Sequence, residues 1–279
     1  MRIDSHQHFW DYTHNAAHYD WIDDSMRRIR ADFLPADLAP LLAASGFDGS
    51  VAVEARQSVD ESRWLLSLAA NHPAIKAVVG WAPLASPSLA ACLDELCANL
   101  RFRGVRHVVQ AEPDPAFLDG ADFNAGIRQL AARGLVYDLL VKAHQLPAAL
   151  RFVDRHPNQS FVLDHIAKPV VTQVVDPEWL RHFRELARRP NVSCKFSGVV
   201  TEVPDWRWSQ EMIRVHFDCT LEAFGADRVM FGSDWPVCLV ATDHRAWVSA
   251  VEACAKRLST SEQASLFGDT AARIYGIRS

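Results

Sequence analysis

The chain has 279 residues, 49% hydrophobic and 23% charged, the profile of a globular protein with a large core. Its formal net charge of −5 argues against nucleic acid or an anionic membrane surface as the main partner. No apolar run reaches the roughly 18–20 residues that cross a bilayer.

The start, Met1-Arg2-Ile3-Asp4, lacks the basic-then-apolar order of a secretory leader. The six cysteines show no metal-finger spacing, so free thiols in a reducing cytoplasm are expected. From the first residue on, apolar strand-like runs are predicted at 1–6, 49–55, 77–83, 104–110, 135–142, 160–166, 191–197 and 228–233. Helical periodicity fills the intervals at 34–45, 60–71, 88–100, 122–133, 147–156, 177–189, 210–224 and 244–257, with a last helix at 261–275. Ser58 or Asp60 would cap one helix, and Ser259 to Glu262 the last. His-Pro or Arg-Pro pairs at 72–73, 156–157 and 189–190 stop helices ahead of the next strand. Eight strand-helix units with no linker or repeat predict one (β/α)8 barrel domain over 1–279.

Two connections exceed the few residues usual for such turns, at 9–33 and 199–209. Both leave the C-terminal end of a strand, where barrel active sites are built. The first carries Tyr12, Tyr19, Trp21, Met26 and the basic Arg27, Arg28 and Arg30; the second carries Trp206 and Trp208. Both are candidate lids.

Strand tips carry the candidate chemistry. The opening "DSHQHFW" ends the first strand with His6 and His8, which point to one side because they are two residues apart. "FVLDHIAKP" ends the sixth with Asp164, His165 and Lys168; "VSCKFSG" ends the seventh with Lys195 and Ser197; "VMFGSDWPV" ends the eighth with Ser233 and Asp234. Three histidines and an aspartate at one end of one barrel are a donor set that borderline metals such as zinc accept. The same set serves a metal-free site, with Asp as general base and imidazoles as an electrophilic pocket.

These pieces, with the "YDWI" loop, occur in one order from residue 4 to residue 237. In that combination the chain resembles the amidohydrolase superfamily, in its amidohydrolase 2 branch, and there the sugar lactonases of the L-fuconolactonase and L-rhamnonolactonase type. The resemblance implies that His6 and His8 match the first-strand metal pair, His165 the sixth-strand histidine and Asp234 the eighth-strand aspartate. The fourth strand, "GVRHVVQ", lacks the lysine that is carbamylated to bridge two metals, and the fifth, "LVYDLLVK", lacks a histidine. His6, His8 and Asp234 then remain as ligands for an optional divalent ion such as zinc, and no cofactor is expected to be required.

The expected reaction is hydrolytic opening of a sugar lactone. Asp234 deprotonates water, and His6, His8 and His165 donate to the developing oxyanion. Trp10, Glu54, Arg56, Trp81, His107, Lys142, Lys195 and Trp235 are the expected substrate contacts. Glu54 would repel a dianion and the tryptophans suit sugar C–H faces, which favours a neutral sugar lactone over a dicarboxylate lactone. The rival reading is a metal-dependent decarboxylase of an aromatic or unsaturated acid on the same barrel. A small-molecule partner is expected, with a homo-oligomer left open.

Overall fold

In the computed structural model, which describes residues 1–278, eight parallel strands form one sheet in sequence order. They are β1 (Ile3–Gln7), β2 (Gly49–Val53), β3 (Ile75–Gly80), β4 (Phe102–His107), β5 (Val136–Leu139), β6 (Phe161–Leu163), β7 (Val192–Phe196) and β8 (Val229–Phe231). The seam between β8 and β1 is closed by a parallel bridge from Gln7 to Trp235. The fold is the (β/α)8 barrel expected from the alternation. Helices α1 (Pro35–Ala44), α2 (Val59–Asn71), α3 (Leu89–Cys97), α4 (Ala121–Ala132), α5 (Leu146–Asp154), α6 (Pro177–Ala187), α7 (Gln210–Phe224) and α8 (His244–Ala255) follow the strands in turn. No helix among the described residues is long and apolar enough to cross a membrane.

Local signals behave as their chemistry dictates. Ser58 caps α2 by accepting from the Glu61 amide at 3.1 Å, and Ser259 forms a capping box with Glu262. The expected helix at 261–275 is interrupted: Thr260–Ala264 and Thr270–Ile274 flank a wide π turn, Ser265–Asp269. There Gly268 lies against the Met1 carbonyl so closely that any Cβ would collide with it. Tertiary packing of the chain's two ends therefore overrides the helical period.

Strands β5, β6 and β8 are shorter than the apolar runs that predict them. Past Leu139, Leu163 and Phe231 the chain leaves the ladder. The core has two parts. One fills the space between strands and helices; the other is the barrel interior, where Ile3, Val51, Val53, Ala77, Val79, Val136, Val162 and Met230 meet Ala271 and Tyr275 of the last helix. The connection after β1 is a packed cap, since Trp10, Tyr19, Ile22 and Ile29 form a buried cluster of their own.

Candidate active site

The first and last strands build one side of the site together. The Asp234 amide donates to the His6 carbonyl at 2.8 Å, and the His8 amide to the Trp235 carbonyl at 2.7 Å. Asp4 staples this seam from behind by accepting from the Ser233 amide at 2.7 Å and the His6 amide at 3.2 Å. A register shift between Asp4 and Gln7 re-aims the end of β1, as an irregularity in a ladder does. Histidines at the chain's start thus meet an aspartate 226 residues later (234 − 8) through barrel closure.

The opposite side comes from β6. One residue past its end come four left-handed residues, His165 to Lys168, with φ between 48° and 62°; Asp234 also has a positive φ of 55°. Such backbone costs about 1–3 kcal/mol per residue and gathers where a site needs a side chain in one place. The turn is held by Trp179, whose Nε1 donates to the Ile166 carbonyl at 2.9 Å. Gly198, at φ 63°, passes so close that a Cβ there would lie 2.5 Å from His165 Nδ1 and 2.9 Å from Asp234 Oδ2. Only glycine fits between the two groups.

His8, His165, Asp234 and Arg106 line the floor of a cavity of about 950 Å³ at the C-terminal end of the barrel, the size of a small-molecule site. His8 Nε2 lies 3.4 Å from Asp234 Oδ1, and His6 Nε2 lies 3.2 Å from His8 Nε2 and 3.7 Å from Asp234 Oδ1. His8 Nδ1 sits 2.8 Å from the Val53 carbonyl, which can only accept, so His8 carries a proton there. His165 Nδ1 is 2.9 Å from Ser197 Oγ.

Beneath this floor lies a buried charge network. Arg106 Nε donates to Glu54 Oε1 at 2.8 Å and Nη1 to Asp164 Oδ2 at 3.1 Å. Lys195 Nζ pairs with Asp138 Oδ2, lies 3.1 Å from Asp164 Oδ1 and donates to His6 Nδ1 at 3.1 Å. The Tyr275 hydroxyl reaches both Asp138 oxygens at 2.9 and 3.0 Å.

Burial would raise the Asp234 pKa, but the His165, His6 and His8 rings beside it outweigh that and hold the carboxyl well below the usual range. Burial lowers His165 to about 4 and His6 well below its ordinary value, so both are neutral imidazoles near pH 7. Burial also opposes ionisation of Asp164, yet Lys195, His6 and Arg106 keep it well below the usual range. Asp138 is pushed up to about 6 by burial, against the pull of Lys195.

The structure brings His6, His8, His165 and Asp234 together, although His6 lies fully buried behind His8 and off the cavity wall. Among the expected substrate contacts, Arg56 lines the cavity. The others are placed differently. Lys195 and Glu54 are fully buried and spent on ion pairs. Trp10 backs His8 with ring centroids 6.4 Å apart and donates its Nε1 to the Ala31 carbonyl, while Trp235 packs on Phe9 and Phe33. Trp81 donates to His107, which pairs with Glu112 at 2.6 Å, and Lys142 is exposed. None of these seven side chains lies on the cavity wall. Sequence reasoning missed Arg106, Asp138 and Tyr275. A lone charge inside the Val-rich runs "GVRHVVQ" and "LVYDLLVK" was the available signal for the first two, and nothing local marked Tyr275.

The residues fit a metal ion. His6 Nε2, His8 Nε2 and Asp234 Oδ1 form a triangle with edges of 3.2, 3.4 and 3.7 Å. A tetrahedral ion with ligands at about 2.0–2.1 Å needs edges of roughly 3.3–3.4 Å.

Comparison with known proteins shows the family. An amidohydrolase from Burkholderia multivorans, solved with bound zinc, superposes with a TM-score of 0.95 at 44% identity, covering 100% of both chains. An L-fucono-1,5-lactonase of Burkholderia multivorans is 44% identical over 289 residues, covering 99% of this chain and 96% of the relative. An L-fucono-1,5-lactonase of Burkholderia ambifaria is 36% identical over 284 residues, with the same coverage of each. The family model described as Amidohydrolase matches residues 3–277, nearly the whole barrel, and the chain belongs to that family.

Proposed function

We propose that this protein is a lactonase that opens a sugar (aldono-)lactone, L-fuconolactone-like in its chemistry, to the aldonic acid. The observation that carries the reading is the convergence of His8, His165 and Asp234 on one cavity floor, in a chain 44% identical to an L-fucono-1,5-lactonase.

Asp234, held anionic, takes a proton from a water that attacks the lactone carbonyl. His165, neutral near pH 7, and the Arg106 guanidinium donate to the oxygen on which negative charge develops. The tetrahedral adduct collapses, the ring C–O bond breaks, and Asp234 returns its proton to the departing ring oxygen. His8 holds Asp234 from the side, and His6 acts through His8 rather than on the substrate. A divalent ion held by His6, His8 and Asp234 would polarise a carbonyl and acidify water when bound. In this proposal such an ion is dispensable, because a lactone has a better leaving group than an amide and Arg106 supplies fixed positive charge.

A neutral, hydroxyl-rich substrate suits the wall. Its cations are already matched to carboxylates: Arg56 to Glu61 at 2.5 Å, Arg106 to Glu54 and Asp164, and Lys168 to Glu202 at 3.4 Å. A dicarboxylate would find no free arginine fork there.

A pH-indicator screen of aldonolactones, run with and without chelator, tests the reading. Proton release from L-fuconolactone or a close sugar lactone, undiminished by chelator, is the expected result. Failure on every lactone, together with metal-dependent loss of CO₂ from an aromatic acid, would install the decarboxylase reading instead.

A further inference from the structure

Lys195 lies beneath the floor, and the network around it sets where His6 keeps its proton. A neutral imidazole has one N–H and one lone pair, and which nitrogen holds which is decided by its neighbours. His6 Nδ1 faces the Lys195 ammonium at 3.1 Å with hydrogen-bond alignment. An ammonium has only N–H bonds to offer, so Nδ1 must accept. Asp164 Oδ1 lies 3.3 Å from the same nitrogen, but without alignment, and that oxygen has no hydrogen-bond partner. The proton of His6 is therefore on Nε2.

The other end of the ring agrees. His8 spends its Nδ1 proton on the Val53 carbonyl, which leaves His8 Nε2 with a lone pair, 3.2 Å from His6 Nε2. With the His6 proton on Nε2, that contact is a hydrogen bond. In the opposite tautomer two lone pairs would face each other at 3.2 Å, and an N–H would face the Lys195 ammonium. Three contacts pull the other way. Arg106 Nη1 lies 3.4 Å from His6 Nε2, but it already has Asp164 Oδ2 at 3.1 Å. Asp164 Oδ1 lies 3.3 Å from His6 Nδ1, farther than the Lys195 ammonium, and Asp234 Oδ1 lies 3.4 Å from the His8 Nε2 lone pair.

Lys195 cannot readily turn away. It donates to Asp138 Oδ2 and His6 Nδ1 and lies 3.1 Å from the charge on Asp164 Oδ1, and the Tyr275 hydroxyl fixes Asp138 from the C-terminal end. A donor chain thus runs from the ammonium through His6 to His8 and ends at a strand carbonyl.

We propose that Lys195 is a positioning residue that locks His6 in its Nε2–H tautomer, completing the floor without a metal and holding down its affinity for zinc. A zinc ion at His6, His8 and Asp234 needs the Nε2 lone pair, so binding must first move that proton to Nδ1, against Lys195. The effect on turnover rests on the proposed metal-independent ring opening; the tautomer and the zinc affinity do not.

Long-range ¹H–¹⁵N NMR of the ¹⁵N-labelled, zinc-free wild-type enzyme reads the tautomer directly, with the His6 signals assigned by their loss in His6→Asn. The expected result is a protonated Nε2 and an acceptor-type Nδ1; a protonated Nδ1 would overturn the proposal. Lys195→Met should move the proton to Nδ1, toward Asp164, and tighten zinc by about 10–100-fold in competition with a chromophoric chelator. Removing the charge alone could tighten zinc without moving the proton, so tighter zinc with the proton still on Nε2 counts against the proposal, as does unchanged zinc affinity in a folded variant. Should Lys195→Met fail to fold, the wild-type spectrum still decides. An enzyme inactive on every lactone but showing the Nε2–H tautomer would remove the lactonase reading and leave this one standing.

Discussion

The lower and upper layers of the barrel interior differ sharply in chemistry, the one apolar and the other ionic, although neighbouring strands build both. Below, Val136, Val162 and Met230 pack with Ile3 and the β2 and β3 valines. Two residues further on stand Asp138, on β5, and Asp164, just past the end of β6, and β4 and β7 supply Arg106 and Lys195. A two-residue step keeps a side chain on the same face of its strand. One step along the axis therefore exchanges an apolar plug for a buried ionic layer that only Arg106 carries through to the cavity floor. Buried charges are tolerated only when paired. Here the carboxylates of Glu54, Asp138 and Asp164 face the cations of Arg106 and Lys195. The lower layer holds the barrel together, and the upper one orients the groups above it.

Substitutions in the two layers should separate along those lines. The largest effect is expected at the floor: Asp234→Asn keeps the shape but cannot accept a proton, and kcat should fall by about 10²–10⁴-fold. Substrate binding should persist in that variant, since the loss falls on the chemical step; near-wild-type turnover would remove Asp234 from the mechanism. His165→Asn, which takes away one donor to the oxyanion, should cost about 10²–10³-fold in kcat.

A cut in the lower layer should do the reverse. Met230→Ala should destabilise the fold by about 2–5 kcal/mol in chemical denaturation, while kcat per folded molecule stays within a few-fold. A large loss of kcat at full folding would mean that the apolar layer also orients the site.

The pH profile sharpens the comparison further. His165, with its pKa lowered to about 4, is neutral above that value, and Asp234, depressed further, is ionised at any pH where His165 is neutral. Raising the pH from about 5 to 8 crosses neither transition, so kcat/KM should be flat on that side once spontaneous hydrolysis is subtracted. The acid limb should appear only near pH 4 and below, as His165 gains a proton. A limb at pH 6–7 would point to a different essential group. The smallest effect is expected from prolonged chelation, which should leave lactone turnover unchanged; abolition with rescue by added zinc would move the ion from optional to essential.

The resemblance-based pair His6 and His8, His165 at the end of the sixth strand and Asp234 at the end of the eighth were legible because each lies in a short local pattern; the left-handed backbone that aims His165 was not. The eight-unit alternation was legible for the same reason: helix caps, prolines and apolar periods act over a few residues. The break in the last helix was not, because it answers to Met1, 267 residues away (268 − 1).

The sequence by itself determined the barrel, the polar strand tips proposed to carry chemistry and the donor types available there. Only the tertiary structure decided which of those donors face the cavity. Lys195 and Glu54 sit at strand ends as Asp234 does, yet they point into the barrel and are consumed by pairing. Trp10 and Trp235 sit beside the proposed catalytic groups and serve as packing behind them. Arg106, an interior strand residue, emerges on the cavity floor instead. Side-chain direction along a strand is local, but the partner across a barrel is set by how eight strands close on one another, and charge pairing inside that closure decides which polar groups remain free for substrate.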